Sequence, residues 1–106
     1  MPKYLMEVSY TADGAKGVLK DGGSKRKAAA KALIESVGGK MESFYYAFGD
    51  TDVIVIVDAP DAASVAAASL AIGASGAVRA RTTALLSAED VDAATKKATS
   101  YTAPGR

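Results

Sequence analysis

The chain has 106 residues, enough for one domain, and although 49% of them are hydrophobic, many are alanines that bury little area. Thirteen basic and twelve acidic residues give a net charge of +1, so the overall charge does not favour a nucleic-acid partner. The sequence has no cysteine and no histidine, which excludes disulfides, thiolate nucleophiles, cysteine-type zinc sites and histidine-based catalysis. It shows no leader-like segment and no apolar run long enough to cross a bilayer, so we expect a cytoplasmic protein without a membrane partner.

The first third of the chain predicts a strand followed by two helical pieces. Lys3–Tyr10 alternates in the manner of a strand, and Thr11 is placed to cap a helical turn that Gly22-Gly23 ends. The apolar face expected for this turn consists of Ala15, Val18 and Leu19. A second helix is predicted from Ser24 and ends at Gly38-Gly39, which suit a left-handed cap. Its expected apolar face consists of Ala29, Ala32, Leu33 and Val37.

The middle of the chain predicts a β-hairpin. The segment 40–48 resumes the period of two, and 53–57 forms a return strand after a turn at Gly49–Thr51. The alternation places Phe44, Tyr46 and Phe48 on one face and Met41 and Tyr45 on the other.

The last third predicts a helix, a fourth strand and a short terminal helix. Pro60-Asp61 starts a helix over 62–72, whose larger apolar residues are Val65, Leu70 and Ile72. Strand 78–86 follows, with Arg79 and Arg81 on one face. A Ser87-x-x-Asp90 capping pattern opens the last helix, so we divide the chain into a domain over 1–86 and a C-terminal helix with a loose tail over 87–106.

The order βαββαβ predicts an α+β, ferredoxin-like fold with a four-stranded antiparallel sheet and both crossover helices on one face. The apolar run Val53–Val57 sends side chains to both faces of that sheet, and only one face has helices to cover it. We therefore expect a second copy of the chain to cover the other face, making a homodimer or a larger assembly. The alternative is that the C-terminal helix folds back over the sheet.

Four stretches carry a resemblance to a known family: "YLMEVSYT" at 4–11, "KDGGSKR" at 20–26, "GGKMESFYYAFG" at 38–49 and "DVIVIVDAPD" at 52–61. Together the chain from 3 to about 86 resembles the GYD family of small bacterial and archaeal proteins. In that family's G-x-Y-D turn, Gly49 and Asp52 match and Thr51 stands where the tyrosine would be. The resemblance implies a dimeric α/β barrel and no established reaction for the family as a whole.

Candidate site residues come from the strand ends and from two clusters of positive charge. Asp52, at the mouth of a buried strand, is a candidate general acid or base, or else a cap for the turn before it. Three tyrosines are candidates for lining a ligand pocket between the helices and the sheet, although aromatic residues at strand spacing more often have core or interface positions. They are Tyr10, Tyr45 and Tyr46, of which Tyr46 is also a catalytic candidate.

The first cationic cluster, Lys25-Arg26-Lys27, lies in the first turn of a predicted helix after Gly22-Gly23-Ser24. The start of a helix stabilises anions and destabilises cations, so this cluster either binds a phosphate or carboxylate or is a solvated helix start. Arg79 and Arg81 form the second cluster, which either faces an anionic ligand or protects an edge strand from aggregation. These residues favour a homo-oligomeric module that binds a small anionic or aromatic molecule or a protein. One alternative is a cofactor-free enzyme of the monooxygenase or isomerase type, and we expect no metal and no cofactor in either case. Nucleic-acid binding through the basic first turn is a third hypothesis, which the balanced net charge disfavours.

Overall fold

A computed structural model describes residues 1–106 and contains one antiparallel four-stranded sheet and four helices. The strands are β1 (Lys3–Tyr10), β2 (Lys40–Tyr46), β3 (Val53–Asp58) and β4 (Val78–Leu85). The helices are α1 (Ala12–Asp21), α2 (Gly23–Ser36), α3 (Ala62–Ala74) and α4 (Ala88–Thr95). The strand order β2-β3-β1-β4 places β1 and β3 in the middle and confirms the predicted ferredoxin-like arrangement.

Three of the helices begin where a side chain accepts a hydrogen bond from a backbone N–H of the first turn. Thr11 caps α1 and Asp61 caps α3 in this way, and Ser87 forms a reciprocal capping box with Asp90 at α4. Helix α2 ends before Gly38, which has a φ of 82° and provides the left-handed conformation that the predicted cap requires. These local signals explain why the element order could be predicted.

The alternating side chains of β3 divide between the two faces of the sheet. Val53, Val55 and Val57 are buried beneath the helices, whereas Ile54 and Ile56 project to the other side and are half-buried. We call that side the open face; it is formed by the residues that share the register of Ile54 and Ile56, namely Lys3, Leu5, Glu7, Ser9, Ser43, Tyr45, Asp58, Arg79, Arg81, Thr83 and Leu85. Every residue of α4 is exposed, so the alternative in which this helix covers the sheet is wrong.

Strand β2 differs from the prediction because it contains a bulge. The register shifts between Met41 and Ser43, which leaves Glu42 as an extra residue opposite β3. Met41 therefore pairs with Val57 and packs toward the helices, on the same face as Phe44. The prediction that Met41 shares a face with Tyr45 is wrong. The strand also ends at Tyr46, so Phe48 lies outside it and is fully exposed.

The predicted apolar faces of the helices are partly wrong, because small residues make the closest approaches to the sheet. Gly14 is the buried residue of α1, and in α3 Ala68 is buried while Leu70 is 74% exposed. The large residue Leu19 is 86% exposed. In α2 the predicted face residues Ala29 and Ala32 are both exposed. The side facing the sheet carries Ala30, Leu33 and Ile34 at helical spacing, followed by Val37 just after the helix.

None of the four helices has both the length and the apolar character needed to cross a membrane. The cytoplasmic location stays a prediction.

The close approach at Gly14 can be tested against a second glycine of the same helix. A Cβ at Gly14 would overlap the carbonyl oxygen of Ala77 and crowd the Tyr10 ring, whereas a Cβ at Gly17 would meet nothing within 4 Å. We expect Gly14→Ala to lower the free energy of unfolding by about 1–3 kcal/mol. Gly17→Ala should raise it by about 0.5–1 kcal/mol through helix propensity, measured by urea unfolding. Equal effects of the two substitutions would contradict this packing.

Candidate functional site

A cavity of about 150 Å³ lies between α2 and the helix-covered face of the sheet. Its walls are formed by Met6, Val8, Tyr10, Phe44, Val53, Val55 and Val78 from the strands and Arg26, Ala29, Ala30, Leu33, Ile34 and Ile72 from the helices. All of these residues except Arg26 are apolar or aromatic. An apolar cavity of this size stays dry and admits one benzene molecule in an engineered protein, so the space suits a ligand body of about one ring.

Arg26 provides the one charge on the cavity wall. It lies in the first turn of α2, and its Nη1 is 3.7 Å from Oδ2 of Asp21, while Nζ of Lys25 is 3.8 Å from the other oxygen of that carboxylate. Both distances exceed a hydrogen bond, so the aspartate is shared loosely between two cations. The guanidinium is partly exposed and keeps donors available to a group in the cavity.

Two tyrosine hydroxyls lie beside this end of the cavity. The Tyr46 hydroxyl donates a 2.9 Å hydrogen bond to the carbonyl of Gly23, which ties β2 to the start of α2. Burial raises the pKa of Tyr10 to about 12, and the nearby Tyr46 phenol adds to the shift while Arg26 opposes it. Tyr10 therefore keeps its proton at neutral pH and can donate a hydrogen bond.

Asp52 uses its carboxylate to hold the hairpin against β1. Its Oδ2 accepts the backbone N–H of Tyr10 at 2.7 Å, and its own N–H donates to the carbonyl of Val8 at 2.9 Å. The Asp52 carboxylate thus accepts a hydrogen bond from a backbone N–H, as the structural alternative predicted. The donor belongs to β1, however, and not to the Gly49–Asp52 turn. Asp52 is not among the residues that line the cavity.

The other predicted ligand residues lie on the open face, away from Tyr10 and Arg26. Tyr45 pairs with Ile54 in the register and is 68% exposed. Arg81 approaches Glu7 at 3.6 Å, and Arg79, opposite Ser9, is exposed and forms no ion pair. The structure thus separates the predicted residues into a cavity set and an open-face set.

A second ion-pair cluster borders the open face at its other end. Nζ of Lys3 lies 2.8 Å from Asp58 and 3.1 Å from Glu42, the bulged residue of β2. The hydrogen bond to Asp58, followed by that to Glu42, raises the pKa of Lys3, and the same ammonium lowers the pKa of Asp58. The apolar centre of the open face is therefore flanked by charged groups on both sides.

A pocket between the helices and the sheet was predicted from the tyrosines, and Tyr10 lines the observed cavity. Its helix wall was not predicted, because that wall includes two adjacent alanines, Ala29 and Ala30. Ala30 with Leu33 and Ile34 follows the i, i+3, i+4 spacing of a buried helix face, and this signal could have located the wall. No group of three or more carboxylates in the structure is placed to hold a metal ion.

The family model of the GYD domain matches residues 4–95, which run from β1 to the end of α4. The chain belongs to the GYD domain family. No curated protein and no solved structure shows a significant match to it. The GYD match contains every residue of the cavity wall, and it extends beyond residue 86, where the resemblance in the sequence ended, to include α4.

The raised pKa of Tyr10 predicts a loss of stability at alkaline pH. An unfolded tyrosine ionises near pH 10, whereas Tyr10 in the folded protein ionises near 12, so stability present below about pH 10 should decline as the pH approaches 12. Tyr10→Phe should remove this part of the decline, measured as the urea midpoint across that range. The control Tyr45→Phe, at an exposed residue of the open face, should leave it unchanged. A decline of the same size in Tyr10→Phe would refute the assignment.

Proposed function

We propose that this GYD-domain protein is a binding module that holds a small, largely apolar molecule in the cavity between α2 and the sheet. The observation that carries the proposal is a cavity of about 150 Å³ with apolar walls and a single charged residue. A ligand that occupies this space removes apolar surface of the cavity wall from water, which is favourable by about 25 cal/mol per Å². Because only the folded protein has this wall, binding stabilises the fold.

The polar groups near the cavity favour binding over acid–base catalysis. Tyr10 holds its proton well above neutral pH, and Asp52 is engaged with the backbone of β1 outside the cavity. A general base needs a pKa near the working pH and a position within hydrogen-bond reach of the substrate. The groups on this wall instead supply hydrogen-bond donors, which orient a ligand without exchanging protons with it.

Filling the cavity provides a direct test with benzamide, a neutral single-ring probe. Ala30→Leu should place a larger side chain in the cavity and weaken benzamide binding at least about tenfold, because the space is lost. Ala32→Leu, on the exposed side of the same helix, should bind as the wild type does. Binding is followed by NMR shifts of the Val53 and Val55 methyls, with thermal unfolding to check the fold. Equal binding by all three proteins would refute the cavity as the site.

We further propose that the open face is the surface through which two copies of the module associate. Its centre contains Leu5, Ile54 and Ile56, which are partly buried in one chain, and Glu7, which lies opposite Ile54 and approaches Arg81 of the edge strand. Lys3 lies at one end of the face with Asp58. A largely apolar centre with charged groups around it is typical of a protein interface. A twofold sheet-on-sheet contact would complete the burial of the isoleucines.

The association surface can be tested with a double substitution. Ile54→Lys with Ile56→Lys should convert a wild-type dimer into a folded monomer of 10.7 kDa, because four lysines would meet at a twofold contact. A matched control, Leu19→Lys with Leu70→Lys, changes two leucines that are exposed on the helices and should remain dimeric. Light scattering gives the mass and circular dichroism the fold. A monomeric wild type, or a double variant that remains a dimer, would rule out this surface.

A further inference from the structure

The polar end of the cavity presents hydrogen-bond donors and one positive charge. The guanidinium of Arg26 can only donate, and the Tyr10 hydroxyl beside it keeps its proton. The opposite end, about 12 Å further along α2 at Ile34, is apolar. A ligand that fits both ends has an apolar body and an acceptor-rich, negatively charged head.

The charges around Arg26 add to this preference. The first turn of α2 carries Lys25 and Arg26, which share the carboxylate of Asp21 at 3.8 and 3.7 Å. Two positive charges and one negative charge leave this end of the cavity electropositive. A ligand ammonium would be repelled there, whereas an anion would gain a partner better aligned than Asp21.

We propose that the cavity selects a small monocarboxylate whose apolar body is about the size of one ring, with its carboxylate against Arg26 and Tyr10. This inference rests on the proposed binding function. One guanidinium presents two parallel N–H groups that match the two oxygens of a carboxylate, and a phenol adds a third donor. A phosphate dianion would bring more charge to an apolar cavity than a single guanidinium offsets.

The experiment compares benzoate with benzamide, which has nearly the same shape and no charge, by NMR titration at neutral pH and low salt. The wild type should bind benzoate about tenfold more tightly than benzamide. Arg26→Gln should lower the affinity for benzoate about tenfold and change that for benzamide by less than about twofold. The matched control Lys27→Gln removes the same charge from an exposed neighbour outside the cavity wall and should change neither affinity by more than about twofold.

The outcomes separate this inference from the binding function. Equal affinities of the wild type for the two probes, or equal losses of both in Arg26→Gln, would overturn the carboxylate preference and leave the binding function standing. If Lys27→Gln lowers the affinity for benzoate as much as Arg26→Gln does, the effect comes from surface charge alone. This outcome would also overturn the carboxylate preference and leave the binding function standing. Tighter binding of phenyl phosphate than of benzoate would also overturn it. If neither benzoate nor benzamide binds, both proposals fail.

Discussion

Strand β3 lies inside the sheet, between β1 and β2, and the two sets of side chains it carries require different kinds of cover. Helices α2 and α3 cover Val53, Val55 and Val57, which lie at the centre of the core. Only ten residues of the whole chain are buried. With so few buried residues, the domain has little apolar burial to spare, since stability depends on the area removed from water. Ile54 and Ile56 of the same strand keep part of their surface exposed, and covering it would add to this burial.

The small residues of the helices determine where the interior is closely packed and where a cavity remains. Ala68 is buried in α3 and allows the helix backbone to lie close to the sheet, and Gly14 is the corresponding buried residue of α1. On α2 the first half presents Ala29 and Ala30 and the second half presents larger residues such as Ile34. The residues of α2 on the cavity wall therefore become larger along the helix, from Ala29 and Ala30 near Arg26 to Leu33 and Ile34 at the other end.

The element order and the helix starts were predictable because their causes are local. A threonine, an aspartate or a serine at an N-cap acts on residues two or three positions away, so Thr11, Asp61 and Ser87 could be identified without knowing the fold. The buried faces of the helices could not be predicted in the same way. A glycine or alanine that contacts the sheet does not stand out in the hydrophobic pattern of the sequence, and its burial depends on how the two elements approach each other. Tyr10 and Arg26 were each predicted as ligand residues, but only the packing of α2 over β1 brings them to one cavity end.

The bulge at Glu42 makes the two strands of the hairpin unequal in their tolerance of changes in chain length. Strand β3 is paired on both sides, so inserting one residue into it would exchange its valines and isoleucines between the faces. Strand β2 lies at the sheet edge and already accommodates one extra residue, with Met41 and Phe44 both kept toward the helices. Insertions and deletions among relatives of this chain should therefore accumulate in β2 and its flanking turns, while β3 keeps a constant length.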